Sequence, residues 1–288
     1  MKESVLYSLF MVFYYIICFV PDKIDYYIGI GLGKLIYFLL KSRREVTLAN
    51  LRRALGSNYS EEDLVSLCKK VYQQMGLTFV EFIISGNLNK DLITSSIEIE
   101  GLDYLKDAYR QGKGIIMYTA HFGNWEWLGS VISQLGYPVN AIARTQDNVY
   151  FDRKINKIRS SQGINIIPKG ISVRKVYKVL KGGELLFILG DQNARKKGWQ
   201  IDFFGTPAST YPGVVQLARR TGSVILPAFL LREEWGKHRL VIKKPYSISK
   251  DASKDAQREL LQELTGVIEE EIRKEPIQWF WPHRRWKR

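Results

Sequence analysis

From about residue 96 onward, short runs of consecutive apolar residues alternate with stretches whose apolar positions recur every three or four residues. The runs read as strands at 97–99, 115–119, 139–143, 164–167, 185–189, 201–204, 224–231 and 239–242. The periodic stretches read as helices at 124–135, 149–161, 171–181 and 212–221, with another, 254–274, after the last strand. Such alternation predicts an α/β fold: a central mixed, partly parallel sheet flanked by helices. Upstream the period is helical only. "REVTLANLRRAL" places Val46, Leu48, Leu51 and Leu55 at helical spacing and stops at Gly56. "SEEDLVSLCKKVYQQMGLTFVEFI" opens with Ser60 as N-cap and Asp63 in the capping-box position. Its stripe of Leu64, Leu67, Val71, Met75, Leu77 and Val80 marks a packing helix. A break near 86–95 divides the chain into residues 1–40, a helical segment 41–95 packing on the core, and the α/β domain 96–288.

The first forty residues are the most apolar. Residues 4–20 carry no charge, and a helix of that length reaches about 25 Å, short of the roughly 30 Å hydrocarbon core of a bilayer. A second apolar stretch, 26–40, is interrupted by Lys34. No small-residue cleavage site follows the first run, so it is not read as a signal peptide. Its Phe and Tyr content suits an interface. The expectation is an N-terminal membrane-anchoring segment, one marginally spanning helix and one interfacial helix, against the alternative of two buried helices. Lys41, Arg43 and Arg44 would then keep the following chain on the cytoplasmic side.

Charge sharpens this picture. The 43 Lys and Arg residues against 29 Asp and Glu leave a net charge of +14. The excess points to an anionic partner: nucleic acid, a membrane surface or a phosphorylated substrate. Two cysteines, Cys18 and Cys68, make no disulfide framework, and no CxxC or histidine cluster calls for a metal.

The chain has three histidines, and one of them ends an apolar run in "GIIMYTAHFGNWEW". His121 sits where a strand stops, and Gly123-Asn124 turn into a helix. In an open α/β sheet that edge is where ligands bind. Glu126 falls in the first helical turn, near enough to fold back toward the imidazole. A carboxylate so placed fixes the ring tautomer and leaves the other nitrogen free to remove a proton. The helix N-terminus offers N–H groups to an oxyanion or phosphate. No serine or cysteine stands beside His121 as a nucleophile, so it is cast as a base acting on a substrate hydroxyl. The competing reading is a histidine hydrogen-bonded at a packed corner.

Four segments together resemble a known family. "HFGNWE" fits the His-x4-Asp/Glu motif of the lysophospholipid acyltransferase superfamily. Asp191-Gln192, "FFGTPAST" from 203 to 210 and the ending "WPHRRWKR" are similar to the bacterial branch that includes the lauroyl and myristoyl acyltransferases of lipid A biosynthesis. "RREVTLANL" and the apolar amino terminus look like that group too. The resemblance implies His121 as general base with Glu126 holding it, and a hydroxyl of a glycolipid attacking an acyl thioester.

Other residues are assigned around this pair. Asn124 lies in the turn and is placed with the substrate. Arg144 ends a strand on the same edge, and Arg159 lies near the end of the next helix; both match family arginines and are assigned to phosphate. Asp191 would orient an arginine or the acceptor hydroxyl, and Gln192 would donate a hydrogen bond. The Arg195-Lys196-Lys197 run is an exposed loop, near enough to a membrane to meet acidic lipid or carrier phosphate. Gly205, Pro207 and Ala208 resemble a turn before a helix starting near Thr210, with Thr210 as N-cap. The aromatic–basic ending suits a headgroup layer or single-stranded nucleic acid, and the apolar amino terminus favours the membrane.

The reading is a membrane-associated O-acyltransferase at the inner membrane, its catalytic domain on the cytoplasmic face. The donor is acyl carrier protein or acyl-CoA and the acceptor a lipid A precursor or related phosphoglycolipid. Membrane lipids are the surrounding partners; no nucleic acid, metal or organic cofactor is expected. The alternatives are a glycerophospholipid or other glycolipid acceptor, or a non-catalytic membrane or nucleic-acid binding protein of the same fold.

Overall fold

The computed structural model describes residues 2–287 apart from 88, 169, 171 and 172. Arg288 and the first two residues of the expected helix 171–181 therefore lie outside the described residues. Among those described, seven strands form one sheet: β1 (Ile97–Glu100), β2 (Ile115–Thr119), β3 (Val139–Ala143), β4 (Ile164–Pro168), β5 (Leu185–Leu189), β8 (Val224–Glu234) and β9 (Lys237–Ile242). Their order across the sheet is β1-β9-β8-β2-β5-β3-β4. Every neighbouring pair is parallel except β8 and β9, so the sheet is mixed and largely parallel.

The apolar runs become strands because both sheet faces are covered. Ile116 and Tyr118 of β2 join one core with α9 (Val173–Lys181), α10 (Gly213–Thr221) and α11 (Lys254–Lys274). Ile115 and Met117 point the other way, to α6 (Leu102–Arg110) and α7 (Trp125–Gln134). A strand buried on both sides reads as a continuous apolar stretch, and all five residues of β2 are buried.

One expected element differs. Residues 206–210 form a strand, β7 (Thr206–Thr210), paired with β6 (Trp199–Phe203) in a separate hairpin. Phe204 and Gly205 make the tight turn, with φ of 56° and 68°. Pro207 is tolerated because this hairpin is an edge with no further strand to receive its missing N–H. Thr210 is therefore a strand residue, and α10 starts after Pro212 without a side-chain cap.

The upstream helices build a scaffold around one rod. The capping box of Ser60 and Asp63 is made at the start of α4 (Glu61–Ile84). Along α4 lies α2 (Asp22–Leu39), so close that a Cβ on Gly33 would stand 2.3 Å from the Tyr72 carbonyl oxygen. One on Gly76 would stand 2.1 Å from the carbonyl of Gly29. Preceding these, α1 (Lys2–Phe19) rests on α4 through Ile17 against Val80 and Ile83. It also meets α8 (Val149–Ser161), where the Phe10 and Phe151 rings lie 4.9 Å apart. Between α2 and α4 runs α3 (Lys41–Leu55).

No helix among the described residues is long and apolar enough to cross a membrane. The spanning reading of residues 4–20 thus finds no support in the helix they form. Both α1 and α2 nevertheless turn large apolar side chains outward, among them Leu9, Val12, Phe19, Tyr27, Leu35, Phe38 and Leu39.

Candidate active site

The site begins where β2 leaves the sheet. Ala120 is buried, His121 is 24% exposed at its side chain, and the chain then turns through Phe122 and Gly123 into α7. Gly123 has φ 61°, and a Cβ there would lie 2.1 Å from the Leu230 carbonyl oxygen. Only glycine lets the turn approach β8 so closely. Backbone bonds hold the turn on both sides. Asn124 donates its N–H to Leu230 (2.7 Å), Gly123 donates to Gln278 (3.0 Å), and Phe280 donates to the His121 carbonyl (2.9 Å).

The imidazole is oriented by Asp191, not by Glu126. His121 Nδ1 lies 2.9 Å from Asp191 Oδ1, and the Trp279 indole N–H donates to Asp191 Oδ2 at 2.9 Å. Burial alone would raise the Asp191 carboxyl, but the charge of His121 and hydrogen bonds from His121 and Trp279 outweigh it and bring it down to about 2. An ionised carboxylate only accepts, so Nδ1 carries the hydrogen and Nε2 presents its lone pair. The side-chain nitrogen of Gln192 stands 3.3 Å from that Nε2. Trp125 and Phe280 wall the ring, with centroids 5.4 and 6.2 Å away.

Glu126 faces the other way. Its carboxylate is gripped by Arg159 of α8 in a two-bond fork, Nε to Oε2 at 2.9 Å and an NH2 to Oε1 at 2.7 Å. The expected folding-back of Glu126 onto the imidazole is thus corrected. A guanidinium outcompetes a neutral ring for a carboxylate because its planar donors match both oxygens. Arg159 in turn is filled by Glu126, with its guanidinium over the Phe82 ring at 5.9 Å.

The remaining assigned residues separate into those at the site and those beside it. Gln192 and Asp191 are at His121. Asn124 is fully buried behind it: its side-chain oxygen caps α7 by accepting from the Trp127 N–H, and its amide donates to Glu81 Oε2 at 2.7 Å. Both ends of its amide are thus bonded within the chain. Arg144 follows β3, two strands from β2, and is exposed with Asp147 as its partner at 3.0 Å.

Behind the turn lies a second ionic cluster that sequence reasoning missed. Glu81 of α4 accepts from Arg232 of β8 through Nε at 2.9 Å and through NH2, besides the bond from Asn124. Arg232 also reaches Thr78 and Gln74, and its backbone exchanges two 3.0 Å bonds with the Gln278 side chain. His238, the second of the three histidines, is sealed with Nε2 3.2 Å from Glu81 Oε1. Burial opposes the Glu81 charge, yet Arg232 and His238 hold its carboxyl down to about 2. A lone acid inside "LTFVEFII" and an arginine closing a buried strand run were the available signals.

The carboxyl-terminal segment differs from the headgroup layer expected of it. Trp279, Trp281 and Arg285 are buried in the core. Arg285 donates to the Ser209 carbonyl and the Thr210 hydroxyl, both at 2.6 Å, which ties the tail to β7. His283 accepts the Asn193 N–H at Nε2 (3.0 Å) and is pushed down to about 4, chiefly by burial, so it stays neutral.

A strand-end histidine thus lies on the edge of the α/β sheet with its Nδ1 against a buried carboxylate and its Nε2 against the Gln192 amide. The chain belongs to the family of bacterial lipid A biosynthesis acyltransferases, which matches it over residues 1–288. It is 26% identical over 271 residues to the lipid A biosynthesis lauroyltransferase of Escherichia coli (strain K12), covering 93% of this chain and 86% of that one. It is 24% identical over 270 residues to the lipid A biosynthesis palmitoleoyltransferase of the same strain, at the same coverages. A phosphatidylinositol mannoside acyltransferase of Mycobacterium tuberculosis (strain CDC 1551 / Oshkosh) is 25% identical over 198 residues, 66% of this chain and 62% of that one. The protein is an acyltransferase of the lipid A and phospholipid type.

Proposed function

We propose that the protein moves a fatty acyl chain from an acyl thioester, with acyl carrier protein as the donor, to a hydroxyl of a lipid A precursor or related phosphoglycolipid at a membrane surface. The observation that carries this reading is the His121–Asp191–Trp279 chain of hydrogen bonds, with Nε2 turned to the exposed Gln192 amide at 3.3 Å, a contact that the acceptor hydroxyl takes over. His121 Nε2 takes the proton of the acceptor hydroxyl as its oxygen attacks the thioester carbonyl carbon. Asp191 stabilises the imidazolium that forms. Collapse of the tetrahedral intermediate breaks the carbon–sulfur bond, and the imidazolium returns the proton to the leaving thiolate. Backbone amides in the first turn of α7, which starts four residues after His121, are suited to the oxyanion.

The membrane assignment rests on the outward apolar residues of α1 and α2, which suit helices lying in the interface. Lys41 and Arg43 follow directly and suit the cytoplasmic headgroup layer of the inner membrane. Mass spectrometry of total lipids tests the whole reading. Cells carrying the active protein gain one acyl group on one lipid class, and cells carrying His121→Ala do not. An identical lipid profile with His121→Ala removes the base from the mechanism.

A further inference from the structure

Some exposed cations of this protein are neutralised on its surface, Arg52 by Glu61 and Lys274 by Glu270, and others, such as Lys175 and Lys178 on α9, have no ion-pair partner among the described residues. Around the mouth of the His121 site six of the second kind stand together. Arg43 on α3, Arg195, Lys196 and Lys197 in the short 3-10 turn that follows β5, and Arg284 and Lys287 in the tail are all exposed. None has an ion-pair partner among the described residues. Like charges brought together repel, so the telling point is that the fold holds these in place.

Two bonded segments bring the cluster together. Asn193, two residues past Asp191, donates its side-chain amide to the Lys287 carbonyl (2.5 Å) and the Arg284 carbonyl (3.3 Å). Its side-chain oxygen accepts the Arg195 N–H at 2.6 Å, and its own N–H goes to His283. One asparagine thus staples the 3-10 turn to the tail beside the catalytic pair. Arg195 has φ 54°, in the left-handed region that a residue with a side chain disfavours. The Ser209 hydroxyl, bonded to the Arg195 carbonyl at 2.6 Å, helps hold it there. A disfavoured backbone so braced is commoner at binding sites than elsewhere. From the other side, an NH1 of Arg43 approaches the Pro282 carbonyl at 3.5 Å.

The apolar surface identifies the ligand's source. The exposed Leu35, Phe38, Leu39 and Leu40 end at Lys41 and Arg43, so hydrocarbon-seeking residues give way to cations within one turn. When such a ridge enters a bilayer, the cations that follow it come to rest at the level of the phosphates. We propose that Arg43, Arg195, Lys196, Lys197, Arg284 and Lys287 form a phosphate-binding rim that holds the headgroup of a membrane lipid over His121. The rim deepens the acyl-transfer reading and rests on it, since it presents an anionic acceptor to that base.

The test uses the full chain and vesicles of phosphatidylcholine, with and without phosphatidic acid, at low salt. Lys196→Gln/Lys197→Gln/Lys287→Gln weakens binding to the phosphatidic acid vesicles on the order of 100-fold, and leaves binding to pure phosphatidylcholine unchanged. Arg174→Gln/Lys175→Gln/Lys178→Gln on α9 removes the same charge and leaves both unchanged. Equal losses in the two variants would mean bulk attraction and overturn the rim. So would retained vesicle binding in the first variant, including the case in which it loses affinity for an acidic thioester carrier instead. His121→Ala keeps full vesicle binding. If it also keeps acyl transfer, the base assignment fails while the rim stands.

Discussion

Two carboxylates flank the turn at His121, and their surroundings teach different lessons. Asp191 and Glu81 are both buried and both held at about 2 by their partners, Asp191 by His121 and Trp279 and Glu81 by Arg232 and His238. Glu81 faces an arginine whose Nε, NH1 and NH2 are all engaged, at 3% side-chain exposure. That pair is sealed from solvent, so it braces the turn and has no path to a substrate. Asp191 faces a ring that can gain a proton, and that ring is 24% exposed. The same acid makes a closed brace or a solvent-reachable pair according to its partner and that partner's access to solvent.

The largest expected effect breaks the comparison on the catalytic side. Asp191→Asn frees the imidazole to adopt the wrong tautomer and lowers acyl transfer by about 10²–10⁴, and it also gives up the stability that the ionised carboxylate supplies. Initial rates with a defined thioester give the answer, and a variant at full rate would return the role to another acid. Glu81→Ala acts on the other cluster. It leaves Arg232 buried without its counter-ion, which costs about 3–5 kcal/mol of stability in urea unfolding; an unchanged midpoint would remove Glu81 from the scaffold.

Smaller effects sharpen the picture. Gly33→Leu drives a side chain into the backbone of α4 at the 2.3 Å approach to Tyr72. The overpacking costs about 1–3 kcal/mol, visible as a lowered Tm, and an unaltered Tm would mean that α2 moves freely on α4. His283 then separates the acid limb of the stability curve. Its folded value near 4 lies below the ordinary 6.5, chiefly through burial. The unfolded chain therefore binds its proton first, and stability present above pH 6.5 drains as the pH falls toward 4. Asp191 and Glu81 add their own losses only lower, as the pH falls through about 2. His283→Gln flattens the slope between pH 6.5 and 4; an unchanged slope would place that titration elsewhere.

The strands were legible where burial on two faces leaves a continuous apolar run, as in β2 and β5. β7 was not, because Gly205 and Pro207 together read as one turn leading into a helix, whereas the turn is Phe204-Gly205 and Pro207 already lies in the returning strand. At the site, the shared sheet edge of His121 and Asp191 could be read from the strand ends. Their partnership could not. It is set by the parallel register in which Thr119 faces Leu189, so that the residues two positions beyond each strand become neighbours. Sequence proximity pointed to Glu126 instead, and nothing in a linear reading reveals that Arg159 has already taken it.

The glycine contact between α2 and α4 has a practical consequence for anyone wishing to shorten this enzyme. Trimming away the first forty residues would not expose a finished surface. It would uncover a strip of α4 around Tyr72, Gln73 and Gly76, where bare backbone meets its neighbour, beside apolar groups such as Leu77 and Val80 that are now buried. The rod that carries Glu81 would lose its sheath. A less apolar variant is better sought by replacing the outward residues Leu9, Val12, Phe19, Phe38 and Leu39 with polar ones and keeping both helices in place.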